Sequence, residues 1–494
     1  MFHKITETYF KFPLSTVRTA FQNFYDKHPL FRYAVYWILG AISHSQFSSG
    51  IVILLLLLIL EKKMPKKLPL ALFVISFLLA GTIHPSKNSV IEGNGVFRVL
   101  STKKIKDYYV CTGKFLNFRK KNSRKKYKNI PCSVLSNKKQ QSGTDYILSG
   151  KLKYITNSNK YSFKKNADFI KSEPRQLMSN PRTFIRNKII QYIGTNYPSP
   201  EVQSLLTGIF LGKSPPKDLK EKFQKLGLAH LLVVSGFHFS FFTKLLLPIT
   251  FLFRKNHRAI FLIVMSSLFL LIQETTPSVM RSWICGVVLF SDSFFKGRCS
   301  GINRLSLALI LISAFDPSSL FSLNFQLSFL ATAGIMFLYN PIAKFLKNCL
   351  LGYSSLSRNV IKRLLQKIGL SICDIMAVDL AVHIFLWPIL LKYFLCIPLN
   401  GVFYNLFVPL LTYPVFILTS TGAVLNLKVI HTLNHYWCTN LLSLINDPPI
   451  TFKEIRSEQQ LSQEIVFIYV IAVIIIGIIL NEKTRHFPEE EKFL

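Results

Sequence analysis

The feature that most constrains the fold of this chain is a series of long apolar runs, of which residues 51–60 (IVILLLLLIL) are the most extreme. A transmembrane helix needs about 20 predominantly apolar residues. Half of the 494 residues are apolar and 17% are charged, a mixture that one soluble core cannot accommodate. The sequence therefore predicts a polytopic α-helical membrane protein. The predicted spans are residues 31–60 (long enough for a hairpin), 68–83, 226–253, 259–273, 278–295, 302–316, 320–340, 368–396, 398–426 and 464–480.

One segment departs from this pattern. Residues 98–188 contain 24 Lys and Arg residues and four acidic residues, and thus carry 20 of the 36 net positive charges. Short stretches of alternating polarity, such as DYILSGKLKYI, are separated by Gly-, Asn- and Lys-rich loops. This pattern is typical of short β-strands joined by turns. We therefore expect a small β-barrel or meander inserted between membrane spans.

The charges of the short loops indicate on which side of the membrane this domain lies, because Lys and Arg in short loops stay cytoplasmic. Basic loops at residues 254–258, 296–298 and 344–367 alternate with loops that lack basic residues at 274–278 and 316–324. The alternation places the basic domain in the extracytoplasmic space. Disulfides form there, so Cys111 and Cys132 are predicted to pair.

The charge of the basic domain favours a polyanionic partner, because cations that neutralise phosphates release counterions. Its interleaved aromatic side chains could stack on unpaired bases, as in proteins that bind single-stranded DNA. The sequence equally allows aromatics that fill the domain's own core and cations that contact lipid headgroups. The predicted DNA-binding residues are Lys120, Lys121, Arg124, Lys125, Lys126, Tyr108, Tyr146 and Tyr154.

The most informative apolar stretch is GLAHLLVVSGFHFSFF, residues 227–242. On one continuous helix His230, Ser235 and His238 would project at about 0, 140 and 80 degrees and share one polar arc. Polar groups at membrane depth are costly and usually face a bundle interior or a water-filled path. Gly227 and Gly236 would permit a break or a close helix approach. Histidines satisfied by backbone groups in a packed core are the open alternative.

These residues resemble the ComEC family of competence proteins, whose membrane domain has His-Leu-Leu, then Ser-Gly and a second His. The matching positions here are His230, Leu231, Leu232, Ser235, Gly236 and His238. Four further segments are similar to family elements: LLTGIFLGKS, TPSVMRS with Pro277 and Arg281, DPSSLFSLNFQLSFLATAG, and LNGVFYNLFVPL with Asn405 and Pro409. His383 stands where the family has an uncharged amide, and Asn303 where it commonly has Asp.

The resemblance implies a multi-pass channel of the bacterial inner (cytoplasmic) membrane that takes up transforming DNA as a single strand during natural competence. It also implies that the inserted domain is an OB-like barrel. The implied channel-lining residues are His230, Ser235, Gly236, His238, Arg281, Gln326 and Asn405. The implied partners are single-stranded DNA, membrane lipid, a cytoplasmic ATPase motor, a separate DNA receptor and a second copy of the chain. The family's C-terminal metallo-β-lactamase-like domain is expected to be absent, because no His-x-His-x-Asp-His signature occurs. No catalysis, cofactor or metal is expected.

Two alternatives from other classes stay open. A solute or lipid transporter would use the basic domain to hold anionic headgroups, and a membrane-embedded enzyme would use His230 and His238 with Asp379 or His383. Arg281 could also form a structural ion pair with Glu274 or Asp292. The predicted domains are residues 1–85 (N-terminal cytoplasmic segment and membrane spans), 86–178 (basic domain), 179–225 (linker or amphipathic segment), 226–481 (membrane domain) and 482–494 (tail).

Overall fold

The computed structural model shows a mostly helical chain with one β-barrel in its N-terminal region. It describes residues 14–45, 54, 57, 65, 67–81, 90–105, 108–121, 126–138, 140, 145–155, 160–165, 170–171, 181–213, 215–232, 236–274, 276–295, 298–351 and 360–485. Three helices precede the barrel: α1 (Leu14–Lys27), α2 (Pro29–Ser45) and α3 (Lys67–Gly81). The hairpin turn is predicted at residues 43–50, of which 43–45 belong to α2 and 46–50 lie outside these ranges.

The basic segment forms six strands: β1 (Ile91–Ile105), β2 (Tyr108–Lys120), β3 (Lys126–Ser136), β4 (Asp145–Ile155), β5 (Lys160–Lys165) and β6 (Ile170–Lys171). The first five strands close into a barrel in the order β1-β2-β3-β5-β4, with β4 pairing back to β1. The β3 and β5 strands run parallel and the other neighbours antiparallel. Closure removes free sheet edges. This confirms the predicted small OB-like barrel.

Strand β4 shows how the sequence dictates the barrel. Its even-numbered residues from Tyr146 to Leu152 are buried, and Ile147, Ser149 and Lys151 between them are exposed, as the period of two requires. The core is aromatic, with Phe97, Phe115, Phe118 and Phe163 fully buried and in contact with one another.

The predicted disulfide is absent, since Cys111 and Cys132 are both free and buried. Cys111 on β2 pairs with Val134, whereas Cys132 on β3 pairs with Gly113, so the two lie diagonally across the ladder. Diagonal neighbours are roughly 7–8 Å apart, too far for a disulfide without a backbone shift. Burial raises the pKa of the Cys132 thiol above its usual range.

After the barrel, residues 181–225 fold into three helices, α4 (Pro181–Asn196), α5 (Pro200–Leu211) and α6 (Lys217–Lys225). They form one core with the membrane helices through side chains such as Tyr197, Leu206 and Phe223, all at most 1% exposed. Two arginines of α4 donate to main-chain carbonyls at the end of a later helix, Arg186 to Ile272 (2.7 Å) and Arg182 to Gln273. The α4 helix is thereby fastened to that helix end.

The remaining chain forms the helical bundle. Its helices are α7 (Gly236–Thr250), α8 (Lys255–Ile272), α9 (Pro277–Ser291), α10 (Gly301–Phe315), α11 (Leu323–Leu351), α12 (Val360–Phe394), α13 (Asn400–Tyr404), α14 (Val408–Leu425), α15 (Lys428–Asn446) and α16 (Gln463–Arg485), with 3-10 turns at Ala229–Leu231 and Pro317–Phe321. Two short strands, β7 (Cys396–Ile397) and β8 (Ile455–Arg456), pair antiparallel. Five helices in the described ranges are long and apolar enough to cross a membrane: α8, α11, α12, α14 and α16. The chain is a multi-pass membrane protein.

Helix α15 was not predicted from the apolar runs, and its side chains explain why. Polar residues face inward, because Asn434 is fully buried and donates to the hydroxyls of Tyr197 and Thr419 (both 2.8 Å). Apolar residues such as Val429 and Leu433 are exposed. The buried polar face lowers the hydropathy that a search for apolar runs detects.

The state of the two barrel cysteines is testable by alkylation of the full chain in detergent. Only the thiolate reacts, and burial in apolar surroundings disfavours it, so we expect Cys111 and Cys132 to stay unmodified until the chain is denatured. The exposed Cys349 is the internal control and should react at once. A Cys111–Cys132 cross-linked peptide found by mass spectrometry under non-reducing conditions would contradict the free pair.

Candidate functional site

The stretch predicted as one helix over residues 226–253 is instead broken in two. Helix α6 ends in a Schellman motif, in which Gly227 adopts φ 70° and the Leu228 amide donates to the Phe223 carbonyl (2.8 Å). Glycine is favoured at such left-handed helix ends. The 3-10 turn follows, and α7 begins only at Gly236. His230 and His238 therefore do not share a helical arc, and Ser235 lies outside the described residues.

A contact between two glycines joins this break to α13. A Cβ atom at Gly227 would lie 2.6 Å from the Cα of Gly401, closer than any side chain tolerates. Asn400 strengthens the junction, because its amide donates to the Lys225 carbonyl at the end of α6 (3.1 Å). A Cβ at Gly401 would lie 3.4 Å from Nε2 of His383 on α12. Three elements distant in sequence thus meet at the glycine pair.

His230 lies beside this junction. The residue is exposed, and its imidazole hydrogen-bonds to the Gly227 main chain. It interacts electrostatically with Asp379 and His383 of α12 and with His238 of α7. His238 itself is 3% exposed.

A polar cluster on α12 and α13 faces the same junction. Asp379 is 8% exposed and its Oδ1 accepts from Nδ2 of Asn405 (2.8 Å). His383, one turn further along α12, donates from Nδ1 to the Asp379 carbonyl (2.9 Å) and lies 3.3 Å from its Oδ1. From the sequence, Asp379 and His383 were predicted to act together only if the protein is an enzyme. Their spacing of four residues within an apolar run nevertheless puts both on one helix face.

Arg281 forms a second polar centre on α9. Its guanidinium is 9% exposed and donates from Nη1 to the Ser328 carbonyl (2.7 Å). A Cβ at Gly236 would lie 3.2 Å from its Nη2, so glycine at the start of α7 lets the arginine approach. The start of α7 thus approaches Arg281 through Gly236 and interacts electrostatically with His230 through His238.

The structural ion pair considered for Arg281 is not formed. Glu274 pairs with Arg186 (3.6 Å) and Asp292 with Arg304 (3.8 Å). Within the described ranges no carboxylate lies within 4 Å of the Arg281 guanidinium. Gln326 is not at this centre, because its amide donates to the Leu320 carbonyl (3.2 Å) and it bonds to the Tyr393 hydroxyl.

The barrel carries a basic face that the sequence reasoning did not select. Lys151 of β4 and Lys164 of β5 are exposed and directly opposite each other. Like charges in this position destabilise a sheet. Lys153 extends the face along β4, and Arg119, which pairs with the exposed Asn94 of β1, extends it to the end of β2. The alternation in GKLKYI could have revealed the outward lysines, since every second residue faces the core.

The predicted DNA-binding residues divide between several places. Tyr146 is buried beneath the sheet, because its position in β4 falls on the core face. Tyr108 is exposed at the opposite end of β2 from Lys120, roughly 40 Å along the strand. Lys121 is exposed beside Glu92. Arg124 and Lys125, and the side chains of Lys126 and Tyr154, lie outside the described residues.

Comparison with known proteins identifies relatives of the helical bundle. The competence protein family matches residues 212–483, more than half of the chain. A stretch of 168 residues is 27% identical to ComE operon protein 3 of Bacillus subtilis (strain 168) and covers 31% of this chain and 21% of that protein. The chain thus spans about a fifth of the length of this curated relative. No solved structure matches the chain.

The glycine junction predicts a sharp difference between two alanine substitutions. Gly227→Ala should destabilise the chain by roughly 2–5 kcal/mol, because it forces a left-handed backbone and a clash with Gly401. Gly194→Ala on α4, where no atom lies within 4 Å, should be neutral or slightly stabilising. Thermal unfolding of the purified chain in detergent measures both, and equal midpoints would contradict the junction.

Proposed function

Because the chain belongs to the competence protein family, we propose that it is a channel of the bacterial inner membrane that takes up transforming DNA as a single strand. The basic barrel receives the strand on the outside and the helical bundle conducts it. The chain performs no catalysis. A cytoplasmic ATPase motor supplies the energy and a separate receptor delivers the DNA, and the chain can act as a homo-oligomer surrounded by membrane lipid.

The observation that carries this proposal is the buried guanidinium of Arg281. An arginine inside a membrane bundle is expensive, and a main-chain carbonyl compensates it only in part, since it carries no full charge. A passing phosphate would supply the missing anion through charge-assisted hydrogen bonds. A guanidinium that binds successive phosphates must have no permanent carboxylate partner, because such a partner would compete with each phosphate.

The start of α7 supports a path next to this cation. His238 and Gly236 lie two residues apart there; Gly236 approaches Arg281, and His238 interacts electrostatically with the exposed His230. Histidine, amide and serine groups can bond to phosphates and bases without fixing them in place. His230, His238, Arg281 and Asn405 are therefore our proposed lining. Ser235 and Gly236 belong to it by their place in the sequence, and Gln326 lies further along α11.

The basic face of the barrel supports the receiving step. Lys151 lies between Glu92 of β1 and Lys164 of β5, and the exposed lysines Lys151, Lys153 and Lys164 outnumber this one acid, so a phosphate backbone can bind along them. Binding there is electrostatic and needs no particular sequence, as uptake of arbitrary DNA demands. Three tyrosines are predicted to stack on bases. Among those whose side chains the structure describes, only Tyr108 is largely exposed.

Arg281 gives the first test, in a strain whose own gene is replaced by the variant. Arg281→Gln should lower transformation at least tenfold without lowering the thermal midpoint, because it removes a buried, incompletely compensated charge. Arg281→Lys should retain part of the activity. Arg254→Gln, which changes an exposed arginine at the start of α8, is the matched control and should transform normally.

The two outcomes separate a conducting role from a structural one. Loss of transformation together with a lower midpoint in Arg281→Gln would mean that the guanidinium holds the bundle together. Normal transformation in the same variant would remove Arg281 from the DNA path.

The basic face gives the second test. Replacing Lys151, Lys153 and Lys164 by Ala in the full chain should weaken binding of fluorescent single-stranded DNA. It should also reduce the slope of log affinity against log salt by about 2, since each phosphate contact on a single strand contributes about 0.7. Replacing the exposed helical lysines Lys220, Lys225 and Lys255 by Ala is the control. If the variant and the wild-type chain show equal slopes, this face does not bind DNA. Binding to anionic vesicles but not to DNA would favour a headgroup-binding transporter.

A further inference from the structure

Helices α14 and α15 form a hairpin whose two arms lie side by side. Asn426 and Leu427 join them, and Asn426 adopts the left-handed backbone that ends α14 (φ 48°). Three side-chain contacts connect the arms in antiparallel order: the His431 ring to Gly422, Asn434 to the Thr419 hydroxyl (2.8 Å) and Trp437 Nε1 to the Leu411 carbonyl (2.9 Å). These contacts extend along most of α14, so α15 lies at the same depth as α14.

The pairing continues beyond both helices. The Tyr404 hydroxyl of α13 donates to the Ile450 carbonyl (2.7 Å). Strand β7 then pairs with β8, and the Ser457 amide donates to the Leu395 carbonyl (2.9 Å). The residues that follow α12 thus contact the residues that precede α16, and both lie on the same side of the membrane.

A chain that leaves one side of a membrane and returns to it crosses an even number of times. Between β7 and β8, helix α14 is long and apolar enough to cross, whereas α13 has only five residues. The return crossing falls to α15, whose 19 residues extend about 28 Å, close to the thickness of a hydrocarbon core. We propose that α15 is a further membrane-spanning helix and that its outward face contacts lipid.

The outward face of α15 has the chemistry that hydrocarbon requires. Val429 and Leu433 are exposed, and α15 contains no Asp, Glu or Arg. Three exposed hydroxyl side chains donate to main-chain carbonyls of the same helix: Thr432 (3.0 Å), Thr439 (2.6 Å) and Ser443 (2.8 Å). Such bonds satisfy a hydroxyl without water. The exposed Asn440 lies within two turns of the helix end, towards the membrane surface.

The inward face of α15 is polar and bonded to protein. Asn434 donates to the Tyr197 hydroxyl of α4 as well as to α14, and the Cys438 thiol donates to Asn434 Oδ1 (3.7 Å). Hydrogen bonds between helices hold membrane bundles together. A polar face turned inward and an apolar face turned outward is the reverse of a surface helix in a water-soluble protein, and it fits a helix surrounded by lipid.

The charges at the helix ends agree with this crossing. The crossings of α12, α14, α15 and α16 place the basic stretch 344–367, Lys428 at the start of α15, and Lys483 and Arg485 at the end of α16 on one side. Lys and Arg beside spans mark the cytoplasmic side. Residues 447–464, with four acidic and two basic residues, lie on the opposite side. The crossing does not depend on DNA transport, so its tests are separate from those of the channel.

Cysteine labelling of the full chain in spheroplasts tests the crossing. The parent is Cys349→Ser, which removes the exposed native cysteine of α11, and its residual labelling is subtracted. A membrane-impermeant maleimide should label Gln459→Cys in intact spheroplasts and Leu427→Cys only after permeabilisation. Both positions are exposed. Cys349 of the wild-type chain is the control for the cytoplasmic side and should react only after permeabilisation. Labelling of both variants from the same side would overturn the crossing.

Spin labels on the outward face test the contact with lipid. Nitroxides at Leu433→Cys and Tyr436→Cys, in the same parent and in phosphatidylcholine vesicles, should collide more often with oxygen than with a water-soluble nickel chelate. Gln459→Cys is the matched control and should show the opposite order. Preference for the nickel chelate at the two helix positions would mean that the face borders water. Protection from both reagents would mean that protein covers it, and either result overturns the lipid contact.

Discussion

The close contact between Gly227 and Gly401 is the constraint on which the polar interior depends. Helix α6 can end and turn back only because Gly227 adopts a left-handed backbone, and α13 can approach this closely only because Gly227 has no side chain. The Asn400 amide then bonds to the end of α6. This brings His230 next to a cluster that lies about 150 residues later in the chain. A side chain at Gly227 would push α13 away and separate these groups.

The two polar centres are compensated differently. Arg281 binds a main-chain carbonyl, whereas Asp379 binds an amide and a histidine of its own helix. Opposite charges at membrane depth would usually neutralise each other. Here the cation and the acid have separate partners, and each keeps some capacity to bind an outside ligand. Such incomplete compensation lowers stability and is typical of sites that exchange ligands.

The barrel and most membrane helices could be predicted from the sequence, because periods of two and long apolar runs are local signals. The glycines at 227 and 236 allowed a break, but the sequence could not distinguish it from a continuous helix, since an apolar stretch that contains glycine suits both. Helix α15 escaped because its polar side turns inward, towards Tyr197 and Thr419. The role of Tyr146 depended on strand register, which composition does not contain. The pairing of Asp379 with Asn405 joins two helices through tertiary packing, and no spacing in the chain encodes it.

The arginines of α4 have a mechanical consequence. The barrel leads along the chain to α4, and α4 is bound through Arg182 and Arg186 to the last carbonyls of α8. Residues 273–276 then lead directly to α9, which carries Arg281. A displacement of α4 would therefore act first on the last carbonyls of α8 and then on the start of α9. The position of the helix that carries Arg281 is thus coupled to that of the helix that follows the barrel in the sequence.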